Sequence, residues 1–287
     1  MSKEPTILES DRQKSKVLVE LHNQPRPLVA LSLGGGGAKT FAHLGVIDAL
    51  EQHNIPIDFL VTCSAASVVG ILHNIGVSSE EIMKEFKRKR KWFRIFRGSL
   101  FKEILKKYLK QNDISDIKQA KRPMSIVTVD LKTGREVIFE QGDPLIVPLA
   151  SSAFPGIWRP FKFQDYELID GGVLNPDPAD IARTKVGAKG IVISVSLKME
   201  FVQESNRNRF NTILKSLYLS SLKLRSKIIE DNSDIVISPA NDLKINFRDW
   251  RETFFGYFSN AKIDYYYRKG YDEANSKIPR IKELFNG

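Results

Sequence analysis

The chain has 287 residues, 42% hydrophobic and 27% charged, the ordinary balance of a soluble globular protein with room for one large α/β domain. No apolar run approaches the ~18 residues of a membrane span, which excludes a spanning helix, and a single cysteine excludes an intramolecular disulfide and suits a reducing compartment. The net charge of +10 makes an anionic partner surface the natural one to look for.

Residues 1–26 read as a flexible N-terminal lead, polar and without the apolar core of a signal peptide. Residues 27–287 read as one domain, with a basic helical insertion at about 78–111 and a helical C-terminal part at about 207–287. The expected location is cytoplasmic, with a peripheral place at a membrane.

Leu28 to Leu33 is a short apolar run after two prolines and predicts a buried strand. Gly34-Gly35-Gly36-Gly37-Ala38-Lys39 follows, and Phe41, Leu44, Ile47 and Leu50 then recur at helical spacing, predicting a helix to His53. A strand, a glycine loop and a helix start aim free N–H groups at negative charge. A nucleotide loop of the Gly-x-x-x-x-Gly-Lys-Ser/Thr type competes for these residues. Lys39-Thr40 fits it, and Asp130 can pose as its magnesium-holding acid, but Leu33 and Ala38 stand where both glycines belong. No Gly-x-Gly-x-x-Gly frame fits either.

Ile55 to Val61 predicts the next strand, running into Thr62-Cys63-Ser64-Ala65-Ala66 and then a helix from Ser67 to Asn74. A serine in a sharp strand-to-helix turn is the context of a nucleophile elbow, although Thr62 and Ala66 replace its two glycines. The bland alternative is an ordinary helix N-cap serine. The histidines are His22, His43, His53 and His73, so a Ser…Asp…His order after the elbow cannot be built. The remaining base is a carboxylate. Glu167-Leu168-Ile169 predicts a short strand that Asp170-Gly171-Gly172 breaks, presenting Asp170 at a strand end; a plain Asp-Gly turn is the competing reading. Further strands are expected near Met124, Glu136, Ile191 and Ile235. Helices are expected over Asp177 to Val186, over Arg207 to Asn232 with Phe210, Ile213, Leu217 and Leu224 on one face, and over Phe254 to Phe285.

These segments resemble the patatin-like phospholipases, in particular the short bacterial members. The resemblance is carried by Gly34 to Lys39 with His43 to Val46, the elbow at Ser64, Val129 to Glu136, Ala150 to Gly156, and Asp170 to Pro176. It implies a three-layer α/β/α fold with a central mostly parallel sheet, and hydrolysis of acyl esters in lipids such as phospholipids and lysophospholipids. It also implies a catalytic dyad of Ser64 and Asp170, and an oxyanion hole from Gly35, Gly36 and Gly37. Ala65, the residue after the nucleophile, is a further donor, and Lys39, Gly171 and Gly172 support the motifs. Neither a metal nor a cofactor is called for. Thr40, Thr62 and Ala66 depart from the family pattern, so the alternative is a silent scaffold that binds lipid or a partner.

Lys39 itself reads as a cation in a surface or helix-end salt bridge, with setting the loop by electrostatics or meeting a lipid phosphate as the alternatives. Lys84 to Arg97 is strongly basic and interleaved with aromatics. Lys87, Arg88, Arg90, Lys91, Trp92, Phe93 and Phe96 are the candidates for contact with an anionic membrane. The competing reading is a solvated helix face with its aromatics in the core. No nucleic-acid partner is expected.

Overall fold

The computed structural model describes residues 21, 24–89, 99–201, 209–241, 244–245 and 259–286. Most of the N-terminal lead and all of Arg90, Lys91, Trp92, Phe93 and Phe96 lie outside these residues. In chain order the elements are β1 (Val29–Leu33), α1 (Phe41–Gln52), β2 (Phe59–Cys63), α2 (Ala65–Asn74), α3 (Ser79–Lys89), α4 (Ser99–Gln111), β3 (Met124–Asp130), β4 (Arg135–Phe139) and α5 (Ile146–Ser151). There follow β5 (Phe161–Phe163), β6 (Tyr166–Asp170), α6 (Ala179–Val186), β7 (Ile191–Val195), β8 (Glu200–Phe201), α7 (Arg209–Asn232), β9 (Ile235–Ile237), β10 (Lys244–Ile245) and α8 (Asn260–Glu283).

The central sheet is mixed. β3, β2, β1, β7 and β9 pair in parallel, while β4, β5 and β6 add antiparallel pairings on the β3 side. Successive strand residues point to opposite faces, and the two cores follow that alternation. Val29, Leu31 and Leu33 join the large core under α1, α2, α3, α4 and α8. Ala30, Val61, Cys63 and Val192 face a smaller core under α6, with Ile228 of α7 packed against it. Three layers result.

Two glycines set how closely α8 crosses α1. A Cβ on Gly45 would lie 2.0 Å from the Tyr267 carbonyl, and one on Gly270 would lie 1.9 Å from that of Ala42. The helix that carries His43 is thus held by backbone-to-backbone packing that only glycine permits.

Two expectations are corrected. The second strand begins at Phe59, not near Ile55, because Asp58 ends the approach by accepting the Val29 N–H at 2.8 Å and pairing with Arg26. In α7 the buried face is not the one through Ile213 and Leu224. Ile213 is 59% exposed, whereas Asn211, Leu214 and Arg225 are buried, because Arg225 is drawn inward by a buried carboxylate. Of the aromatic C-terminal segment, Tyr266 is core, Tyr265 is partly exposed, and residues 254–258 lie outside those described.

Candidate active site

The sheet register itself aims two strand ends at each other. β2 runs parallel to β3 and ends with Cys63 opposite Val127. β6 runs antiparallel to β3 and ends with Asp170 opposite Thr128. Val127 and Thr128 both also pair with β4, so β4 occupies one edge of β3, and β2 and β6 share the other. Two strands meeting head to head along one edge put the residue after Cys63 beside Asp170. Ser64 Oγ donates to Asp170 Oδ2 at 2.7 Å.

Ser64 sits at φ 59°, ψ −140°, a strained backbone for a residue with a side chain. Its neighbours hold it there. The Ser64 N–H donates to Ser151 Oγ at 2.9 Å, and Ser151 Oγ donates to the Val127 carbonyl at 2.7 Å. Ser151 thus joins the elbow to the carbonyl of the last β3 residue paired with β2. Thr62 is accommodated without glycine. Its hydroxyl donates to Ser67 Oγ at 3.0 Å, and its methyl faces Gly70, where a Cβ would come within 3.1 Å. The close strand-to-helix approach has moved from the elbow to the second turn of α2. Ala66 is fully buried.

Asp170 is 2% exposed, and burial pushes its carboxyl up from 3.8 to about 6, against the downward pull of the Ser64 and Gly172 hydrogen bonds and of Arg225. The Gly172 N–H donates to Asp170 Oδ1 at 2.8 Å, and the Asp170 N–H donates to the Ala153 carbonyl at 3.1 Å. Gly171 must be glycine, because a Cβ there would lie 2.4 Å from the Val127 carbonyl. Cys63 is buried, and burial beside Asp170 raises its thiol well above the usual value, so it stays a neutral core residue.

The glycine loop passes over the same spot. Gly35 packs against Ser64, so closely that a Cβ placed on it would lie 3.0 Å from the serine Cβ, and Gly34 leaves room for the Asp177 carboxylate. The Gly35 N–H already donates to the Pro176 carbonyl at 2.8 Å, so that amide is engaged within the protein. Gly36, Gly37 and Ala65 line the cavity beside Ser64. His43 is fully buried; burial lowers it to about 4, so its ring is neutral, and Nε2 donates to the Gly34 carbonyl at 2.7 Å. Lys39 is corrected from a surface cation: it is 7% exposed, lines the cavity, and burial, with Arg225 nearby, lowers it to about 7.

The cavity, of about 180 Å³, is lined by Ser64 and Asp170 and walled by apolar side chains including Phe101, Phe154, Trp158, Leu197 and Leu214. Sequence reading missed two contributors. Ser151 lay inside a recognised segment with no role given to it. Arg225, on a helix read for its apolar face, is 6% exposed, ion-paired to Asp177, and donates to the Gly35 carbonyl at 2.7 Å. Of the proposed membrane contacts, Lys87 pairs with Asp264 and Arg88 with Glu85, so both are tied to the protein's own acids.

The patatin-like phospholipase family profile matches residues 31–183. An uncharacterized NTE family protein of Mycobacterium tuberculosis is 33% identical over 180 residues, covering 60% of this chain and 49% of its own length. The human patatin-like phospholipase domain-containing protein 6 is 28% identical over 184 residues, 57% of this chain and 13% of that protein. The chain therefore spans about half the length of the mycobacterial relatives and a small part of the human one. Among solved structures, ExoU, a type III effector protein, aligns with 90% of this chain and 54% of its own at 14% identity and a TM-score of 0.46. VipD from Legionella pneumophila aligns with 91% and 67% at 14% identity and 0.45. With the family profile spanning more than half of its residues, the chain belongs to the patatin-like phospholipase family.

Proposed function

We propose that the protein is a serine acyl-hydrolase of lipid esters, with Ser64 as nucleophile and Asp170 as its general base. The observation that carries this reading is the 2.7 Å hydrogen bond from Ser64 Oγ to a buried carboxylate, in the lining of an apolar cavity. Ser64 Oγ attacks the acyl carbonyl carbon, and its proton passes to Asp170. The carbonyl oxygen becomes an oxyanion, which the amides of Gly36, Gly37 and Ala65 stabilise. Collapse breaks the ester bond, and the leaving alkoxide takes the proton from Asp170. Asp170 then accepts a proton from a water that attacks the acyl-enzyme, releasing fatty acid and regenerating Ser64. Burial supports the base: a carboxyl held near 6 is a better proton acceptor than one at 3.8, and is still mostly ionised at neutral pH.

The apolar walls favour an aliphatic acyl chain, as in phospholipids and lysophospholipids. We further infer that the protein docks peripherally on an anionic lipid surface. The inner face of α7 lines the cavity, while its outer face exposes Ile213, Leu219 and Leu224 beside Lys223 and Lys227. Sedimentation with anionic liposomes tests docking: Leu219→Glu with Lys223→Glu should weaken it, and undiminished binding would refute it. Against the silent-scaffold alternative stands the Ser64–Asp170 hydrogen bond, which is present with Thr62 in the elbow and its hydroxyl bonded to Ser67. Release of fatty acid from a phospholipid, wild type beside Ser64→Ala, tests the hydrolase reading. The variant should be inactive, and equal release by both proteins would overturn it.

A further inference from the structure

The glycine loop holds two consecutive peptide units whose surroundings differ. The Gly34–Gly35 unit is tied at both ends: its carbonyl accepts from His43 and its N–H donates to Pro176. The Gly35–Gly36 unit is tied at its carbonyl, which accepts from Arg225 Nη2 at 2.7 Å. Among the described residues, no protein acceptor meets the Gly36 N–H. There are no cis peptide bonds among them, so the N–H of a unit points opposite to its carbonyl. The Gly36 amide is therefore turned away from the guanidinium. Gly36 is also blocked from behind by Leu197, whose side chain would lie 2.5 Å from a Cβ placed there.

Arg225 is an expensive way to hold one carbonyl. It is 6% exposed, and its Nε has no partner among the described residues. Its charge is met by Asp177, whose other oxygen accepts from Ser196 Oγ at 2.5 Å. Asp177 lies against Gly34, at the base of the same loop. Carbonyl, guanidinium, carboxylate and loop base thus form one closed circuit, connecting the cavity-lining helix α7 to the loop.

We propose that Arg225 is a positioning residue for the oxyanion hole: by gripping the Gly35 carbonyl it aims the Gly36 N–H at the developing oxyanion, with Asp177 holding the guanidinium in place. This rests on the hydrolase reading, and it adds a residue of the cavity wall that acts through the loop. Arg225→Met leaves the Gly35–Gly36 unit free to rotate. With p-nitrophenyl butyrate, kcat should fall about 100- to 1,000-fold, the loss expected for one oxyanion donor, with KM within about twofold.

A trifluoromethyl ketone, whose adduct carries an oxyanion, should bind more weakly by a similar factor, while inhibition by butyrate should not change. A residue that only stabilises the fold would lower the melting temperature and the fraction of active protein, and leave the ketone affinity of the folded fraction unaltered; that result would overturn the proposal. If Arg225→Met does not fold, Arg225→Lys supplies the same comparison with the charge retained but the two-pronged grip lost. A crystal structure of the variant tests the proposal independently of turnover. A rotated Gly35–Gly36 peptide is expected, and an unrotated one refutes the proposal even if the wild type hydrolyses nothing.

Discussion

Replacing Asp170 by asparagine should make the protein more stable and less active at once, with a stability gain that depends on pH. The native carboxyl sits at about 6 and the unfolded one near 3.8, because burial disfavours the charge. The native state therefore holds this proton more tightly than the unfolded chain. Stability is withdrawn as pH rises from about 4 to about 6, and the penalty is complete above that. Raising the carboxyl this far corresponds to roughly 3 kcal/mol. Asparagine carries no charge and retains one carbonyl oxygen, so it keeps one of the two hydrogen bonds to Ser64 and Gly172 and loses about 1 kcal/mol for the other. Asp170→Asn should then exceed wild type by about 2 kcal/mol near pH 8, and match or fall below it near pH 4. Urea unfolding followed by circular dichroism at both pH values measures the swing. Equal differences at the two pH values, or a larger gain at the acid end, would refute the burial argument. The same shift predicts that wild-type kcat/KM rises with pH through about 6, as Asp170 becomes ionised and able to accept the serine proton.

Other outcomes follow from the contacts around the site. Ser151→Ala removes the acceptor of the Ser64 N–H and the donor to the Val127 carbonyl, so it should cost about 1–3 kcal/mol in urea unfolding. It should also slow turnover, since the strained elbow loses its anchor; unchanged stability and rate would show that the hydroxyl is dispensable. Gly270→Ala forces a methyl against the Ala42 carbonyl and should cost about 1–3 kcal/mol or more, read as a lower melting temperature. An unshifted melting curve would mean that α1 and α8 do not cross as closely as described. Thr62→Gly should leave Ser64 in place and lower stability by about 1 kcal/mol, because a threonine bonded to Ser67 is replaced by a more flexible residue; a large gain in activity would show that Thr62 does impair the elbow.

Much of the site was legible because each part sits at the end of a strand with a recognisable punctuation. The glycine run after Leu33, the serine after Cys63 and the Gly-Gly pair after Asp170 all mark places where a strand stops and the backbone turns. That Asp170 and Ser64 would meet was not legible in the residues alone. It depends on β2 and β6 sharing one edge of β3, a matter of long-range register that local patterns do not encode. How Thr62 would fit the elbow was not legible for a related reason: its methyl faces Gly70, further along the helix. Lys39 was misread and Arg225 missed because charged residues are rarely buried. On α7 the periodicity of Ile213, Leu217 and Leu224 drew attention away from the face on which Arg225 is pulled toward Asp177. An apolar stripe predicts burial only when the face opposite it has no stronger claim, and a buried ion pair is such a claim.

The central claim is that Ser64 is activated by Asp170 within an assembled oxyanion hole. Labelling with a fluorophosphonate, located by peptide mass mapping, tests it most directly. The account predicts that wild type is labelled on Ser64, that Ser64→Ala is not labelled, and that Asp170→Asn is labelled far more slowly while remaining folded. Absence of labelling in the folded wild type, with and without liposomes, or labelling at the same rate in Asp170→Asn, would contradict it.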